Sequence, residues 1–446
     1  MTDARERPFR RRPQPLTAAD SAWLRMEDPT NLMTVTAVMM FRDRLELRRL
    51  RALIEDGLLV HDRFRQRVVE TAGRRGRPHW EDVEQFRLDD HLHATQLPAP
   101  ADEATLQRFV GDVMSTPLDY TKPLWHLYYL DNYGAGSAIV ARLHHCMGDG
   151  VMLVRLMLSL ASEHPEAEPG EVRPPQGGVP ERRGLAGLAF AAGSAVATLG
   201  KLASIMAVGD SRTALKGPLG ARKRATWSER IPLEDVKAVG RALGATVNDV
   251  LLTAVAGALR HYLEQHQDVG PQMTLRAVVP VNVRQAHEPL TLGNKFGLVF
   301  LSLPVGVTHR LERLRELKRR MNRIKHSGEA VVVYGILKLL GVTTAALEMT
   351  IVNLLGRNST AVMTNVPGPR SPLYLCGSRI DDLVFWVPQS GRLALGVSIL
   401  SYAGSVRVGI ATDEEVVPNP EDIVRALRQA FDDLRADAAA EGPSRS

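Results

Sequence analysis

His144-His145-Cys146-Met147-Gly148-Asp149-Gly150 is the stretch on which the reading of this chain turns. Before it, Ser137 to Leu143 forms a strand-like run rich in Ile139, Val140 and Leu143. After it, Met152, Leu153, Leu156, Met157 and Leu160 recur with the period of a buried helix face. Gly148 and Gly150 allow a tight turn between the two. An imidazole at such a bend points into a cleft while its backbone stays fixed. Titrating near neutrality, it is able to take a proton from an alcohol attacking a carbonyl. Zinc fits poorly, because adjacent histidines at a strand end face opposite ways and no third ligand stands at metal-site spacing. The plainer alternative is a pair of core histidines beside a helix N-terminus, with Asp149 as its cap.

Length and charge bound the rest. The 446 residues exceed one compact core and suggest two domains of about 200 residues each. Two cysteines, Cys146 and Cys376, cannot build a disulfide framework, which fits a reducing cytoplasm. Arginines crowd the first 13 residues without an apolar run behind them, so no signal peptide is expected. A net charge of +6 suits a polyanionic coenzyme or an anionic membrane surface. With 5% aromatics and basic residues spread along the chain, a nucleic-acid partner is not expected.

The segments fall in order. Residues 1–13 read as a flexible basic arm, followed by an N-terminal domain over 14–165. A Pro-, Glu- and Gly-rich stretch opens a linker over 166–228, which carries an apolar helix near Gly184 to Gly209. That helix lies on a lipid surface or crosses the protein interior. A second domain covers 229–437, and 438–446 are a polar tail. Thr246 and Asp249 start an amphipathic helix in capping-box fashion, which leaves Asn248 in its first turn, where amide donors and the positive helix end converge. Asp249 reads as a cap. Asn248 reads either as a second cap or as a group that steadies an oxyanion. His91 and His93 read as the polar face of a strand, and Ile336 to Leu355 as helical core or a tunnel wall.

Several of these stretches carry a resemblance. His144-His145 through Asp149-Gly150, Pro123-Leu124-Trp125, Asn248-Asp249, Val279 to Arg284 and Thr364-Asn365-Val366-Pro367-Gly368-Pro369 together resemble the bacterial wax ester synthase/diacylglycerol acyltransferase family. That family lies within the HHxxxDG coenzyme A-dependent acyltransferase superfamily. Leu16 to Asn31 looks like its opening signature, and Asp62 departs from the proline usual before Arg63.

The resemblance implies an α/β (α+β) fold of two chloramphenicol-acetyltransferase-like domains with the active-site channel between them. It implies transfer of a fatty acyl group from acyl-CoA to diacylglycerol, and to long-chain alcohols, without a resident cofactor or metal. His145 is then the general base and His144 a packed neighbour. From the residues themselves, Asn248 is expected beside the oxyanion, and Asp149 is expected to hold the loop by pairing with Arg284 across the domain interface. Gly150, Asp249, Pro123 and Trp125 support the motif, Trp125 as core. Glu27 is a polar group near the cleft or a helix-end charge. A thioester is already activated, so one base and one oxyanion donor suffice. Direct transfer is expected, with Cys146 turned away.

The expected place is the cytoplasm, peripherally on the inner membrane or lipid droplets. The rival readings are a condensation-domain-like enzyme, a small-alcohol acyltransferase of the same fold, and a non-catalytic lipid-droplet protein.

Overall fold

The computed structural model describes residues 13–70, 78–148, 150–166, 209–282, 296–325, 356, 358–389 and 391–441. Two mixed sheets carry the architecture. In the first, the spatial order is Tyr374–Leu375, Ser378–Trp386, Thr34–Phe41, Ser137–His144, Trp125–Leu130 and Leu92–Thr95. Neighbours run antiparallel except for the last pair, which is parallel.

The Thr34–Phe41 and Ser137–His144 strands are buried along their whole length, because both faces of the sheet are covered. Val35, Ala37, Met39, Ile139, Ala141 and Leu143 enter one core. Val38, Met40, Ala138 and Val140 pack instead with Trp227, Trp386 and the Glu103–Met114 helix. Two covered faces call for continuous apolar runs rather than alternation, which is how both strands read.

The second sheet runs Phe296–Leu303, Leu275–Asn282, Ala361–Pro367, Leu395–Tyr402, Ser405–Asp413 and Lys223–Trp227. Ile231–Pro232 also pairs with Ser405–Asp413. The hairpin between Leu395–Tyr402 and Ser405–Asp413 closes on Ala403 (φ 46°) and Gly404 (φ 82°), the left-handed pair a two-residue turn needs. Helices Val247–Gln265 and Pro420–Glu441 place Val250, Leu251, Leu259, Leu427 and Phe431 in a core shared with this sheet.

The strands do not keep to the boundaries expected from composition. Lys223–Trp227, inside the anticipated linker of 166–228, pairs antiparallel with Ser405–Asp413 and so belongs to the second sheet. Ser378–Trp386, inside the anticipated second domain of 229–437, crosses back and pairs with Thr34–Phe41. Composition marks a linker, but a short strand's partner is set by distant hydrogen bonds that local sequence does not encode. The exchange binds the lobes together. Arg407 Nε donates to Asp382 on the crossover strand at 2.7 Å, and Arg230 Nε reaches the same carboxylate at 2.9 Å.

Among the described residues no single helix is long and apolar enough to cross a membrane. The apolar stretch at 184–208, Ile336 to Leu355, Asp149 and Arg284 lie outside the described residues, as therefore does the expected Asp149–Arg284 pair.

Candidate active site

The motif begins where the Ser137–His144 strand ends. His144 is its last residue, and His145 to Met147 form a single 3-10 turn before the Gly150–Ser159 helix. Gly148 is extended at φ 170°, a conformation open to any residue, so its backbone does not require glycine. At Gly150 it is space that favours glycine. A Cβ there would stand 2.9 Å from Val387 Cγ1, just beyond the crossover strand. Small size at Gly150 therefore serves the close approach of Val387 rather than the turn itself.

The two imidazoles have different surroundings. His144 is fully buried, and both its nitrogens are committed. Nδ1 accepts from Cys146 N at 3.1 Å, which places the proton on Nε2, and Nε2 donates to Glu27 Oε2 at 2.9 Å. Glu27 Oε2 also accepts from Met33 N at 3.0 Å. The Tyr120 hydroxyl stands 3.2 Å from Nε2, on the carboxylate's side. Burial pushes the Glu27 carboxyl up. The hydrogen bond from His144 and its electrostatic attraction, with the Met33 N–H and Tyr120, outweigh burial and hold it below its ordinary range. Burial and the neighbouring Glu27 charge push the Tyr120 hydroxyl up, so it remains a donor.

His145 is 4% exposed, and its ring stacks on Trp23 with centroids 4.0 Å apart and planes 25° apart. Trp23 comes from the Ala18–Arg25 helix, whose N-cap Thr17 accepts from Asp20 N at 3.1 Å. His145 N donates to Met33 O at 2.7 Å. One residue, Met33, therefore pins both histidines: its N–H shares the Glu27 oxygen with His144, and its carbonyl takes the His145 amide. Cys146 lies in the core at 1% exposure, and burial pushes its thiol well up. Such a thiol is not a nucleophile.

Pro123 and Trp125 lie in the neighbouring strand region. Trp125 is wholly buried, and its Nε1 donates to Phe64 O at 2.9 Å, a core position. His91 departs from the expected polar strand face. It is 1% exposed, stacks on Trp125 at 4.5 Å, and meets Trp125 O through Nδ1 at 2.8 Å. His93 Nε2 faces His126 Nδ1 at 2.6 Å on the rim of the same patch.

In the second lobe, Asp249 closes the capping box. It takes Thr246 N at 3.0 Å, while its own N–H reaches Thr246 Oγ1 at 3.2 Å. Asn248 Oδ1 accepts from Asn365 Nδ2 at 2.7 Å. That contact joins the Asn-Asp motif to the Thr364–Pro369 turn and leaves the Asn248 amide N–H groups to donate elsewhere. Among the described hydrogen bonds Asn248 meets Asn365 and neither histidine. Ser398 is 2% exposed and sits 3.5 Å from Gly409 O, inside the sheet. A cavity of about 770 Å³ opens elsewhere in this lobe, beside Arg260, His261 and Arg313, away from the residues singled out above. Among the described residues no three His, Cys, Asp or Glu side chains converge as metal ligands would.

Trp23, Tyr120 and Asn365 were not singled out as site residues from the sequence. Trp23 and Asn365 stand inside quoted motifs, so a signal existed. Tyr120, three residues before Pro123, carried none.

Residues 16–251 match the wax ester synthase/diacylglycerol acyltransferase catalytic domain, and residues 292–435 match the WS/DGAT C-terminal domain. A probable diacylglycerol O-acyltransferase of Mycobacterium tuberculosis is 31% identical over 389 residues, 82% of this chain and 83% of that protein. The solved wax ester synthase/diacylglycerol acyltransferase from Marinobacter aquaeolei VT8 superposes with a TM-score of 0.72 at 24% identity, over 96% of this chain and all of that one. The first condensation domain of the calcium-dependent antibiotic synthetase shares the fold, with a TM-score of 0.64 at 17% identity and 98% of each chain covered.

Proposed function

Because this chain belongs to the wax ester synthase/diacylglycerol acyltransferase family, we propose that it moves a fatty acyl group from acyl-CoA to the free hydroxyl of diacylglycerol, and to long-chain alcohols. One observation supports the assignment of roles: His144 has both ring nitrogens engaged, by Cys146 N–H and by Glu27, and is not available as a base. His145 takes that part.

In the proposed reaction the hydroxyl oxygen attacks the thioester carbonyl while His145 removes its proton. The oxyanion forms near Asn248, whose amide is oriented by Asn365. The carbon–sulfur bond then breaks, and the proton passes from His145 to the departing thiolate. The buried Cys146 thiol argues for transfer without an acyl-enzyme. Acyl-CoA is a co-substrate in this scheme, reaching the histidines through a channel between the lobes. The net charge of +6 suits its phosphates and a lipid-droplet or inner-membrane surface.

Labelled palmitoyl-CoA with diolein or hexadecanol, given to wild type and His145→Ala, tests this reading. The expected result is ester formed by wild type and none above background by folded His145→Ala. Turnover retained by His145→Ala would overturn the assignment. Wild type inert on free acyl-CoA but active on carrier-bound acyl groups would favour the condensation-domain reading.

A further inference from the structure

The segment between Glu27 and Met33 is a short loop with an unusual set of duties. At its base, the Glu27 carboxylate holds His144 and is itself held by the Met33 N–H, and the Met33 carbonyl holds the His145 backbone. Its neck is closed by reciprocal backbone contacts between Asp28 and Asn31, the inner one at 2.7 Å. The Asp28 carboxylate further stiffens the turn by accepting from Thr30 N at 2.9 Å and Thr30 Oγ1 at 2.6 Å.

The tip of this loop is held by the other lobe. Lys223 Nζ donates to the Thr30 carbonyl at 2.6 Å, to Asp413 Oδ2 at 2.6 Å and to Gly220 O at 3.2 Å. Asp413 is fully buried and Lys223 is 9% exposed, so this is an ion pair enclosed by protein, with one ammonium hydrogen spent on the first lobe. Beside it, Asn31, 3% exposed, donates through Nδ2 to the carbonyls of Gly391 at 3.0 Å and Leu393 at 3.4 Å. Lys223 and Asp413 sit directly opposite one another on paired strands of the second sheet. Tip and base are only a few residues apart, so a displacement at Thr30 has little slack before it reaches Glu27 and Met33.

We propose that Lys223 and Asn31 are positioning residues for acyl transfer: they clamp the tip of the 27–33 loop to the second lobe and thereby hold the Glu27 carboxylate and Met33 against the histidine pair. The effect on catalysis rests on the proposed imidazole chemistry. The effect on His144 does not. Relative movement of the lobes would draw the loop away from the motif, so the imidazoles are set for reaction only while the lobes are seated together. A buried ammonium left opposite an altered carboxylate risks misfolding. Asn31→Leu, which removes the two donors without stranding a charge, is therefore the primary variant, and the paired change Lys223→Met with Asp413→Asn is the second.

The experiment combines each variant with Glu27→Gln and reads two signals. With palmitoyl-CoA and diolein, Asn31→Leu is expected to lower kcat about tenfold while KM for palmitoyl-CoA stays within about twofold. In the Glu27→Gln background it should cause little further loss. The second signal is independent of turnover: in protein labelled at histidine nitrogens, the His144 Nε2–H resonance should shift in Asn31→Leu and in the paired variant. Folded variants with wild-type kcat and an unmoved His144 resonance would overturn the proposal. So would losses that multiply with that of Glu27→Gln. If His145→Ala kept full turnover, the functional reading would fail, while the His144 resonance would still decide whether the clamp exists.

Discussion

Replacing Glu27 by Gln isolates a charge. Two of the donors on Glu27, Met33 N at 3.0 Å and His144 Nε2 at 2.9 Å, meet the same oxygen, Oε2. A glutamine amide oxygen is able to occupy that place and keep both bonds, with its NH2 toward the Tyr120 hydroxyl. What disappears is the charge assistance. Hydrogen bonds to charged groups contribute about 1.5–3 kcal/mol, against about 0.5–1.5 for neutral ones, so with two such bonds the variant should lose roughly 2–3 kcal/mol of folding stability.

The pH dependence has a definite sign. The folded-state carboxyl lies below its ordinary value of 4.5, so its contribution is complete above that pH and is lost as pH falls through the depressed folded value. Urea unfolding followed by tryptophan fluorescence at pH 7 and pH 4 measures it. Glu27→Gln should unfold earlier at pH 7, and the gap to wild type should be narrower at pH 4. Equal stability at pH 7, or a gap that widens on acidification, would refute the reasoning. Turnover should fall about tenfold if a loosened His144 also disturbs its neighbour, since 1.4 kcal/mol corresponds to that factor.

Other consequences follow from the same contacts. Cys146→Ala should keep turnover within a few-fold of wild type, and the wild-type protein should show no acyl adduct by intact mass during turnover, because the thiol is core-buried and pushed up in pKa. Asp382→Asn leaves the buried Arg407 guanidinium facing a neutral side chain at the lobe junction, while Arg230 keeps Asp381 at 2.7 Å. It should cost about 3–5 kcal/mol in urea unfolding, the range for breaking a buried pair from one side. The His93–His126 pair supplies an acid sensitivity distinct from that of Glu27. Burial first, then the charges of His93, His91, Arg142 and Lys122, lower His126 from 6.5 to about 3, and burial also lowers His93 and His91. Between those values the unfolded chain holds more protons. Stability should therefore decline from about pH 6.5 downward, by at most about 1.4 kcal/mol per pH unit for each histidine. His93→Gln combined with His126→Gln should flatten the thermal-midpoint profile between pH 6.5 and 5.

Much of the molecule is legible in one dimension. The Ser137–His144 strand, the helix from Gly150, the capped Val247–Gln265 helix and the Leu395–Asp413 hairpin follow from periodicity, capping and turn chemistry. Each of those signals is local, so a linear reading reaches it. The motif residues themselves belong to the same class: the His-His pair, Pro123-Leu124-Trp125 and Asn248-Asp249 can be found without coordinates.

What the linear chain leaves open is who touches whom. Only the folded molecule distinguishes two adjacent histidines, by giving His144 a carboxylate from Glu27, 117 residues away in sequence, and His145 the face of Trp23. Only it moves Lys223 out of an apparent linker and onto Thr30 in the opposite lobe, and carries Ser378–Trp386 back to complete the first sheet. Strand pairing and buried hydrogen bonds join residues far apart in sequence, and their partners are selected by which surfaces remain to be covered once the cores have formed. Local propensity specifies the elements and the chemistry they carry. Long-range packing decides which imidazole is held still.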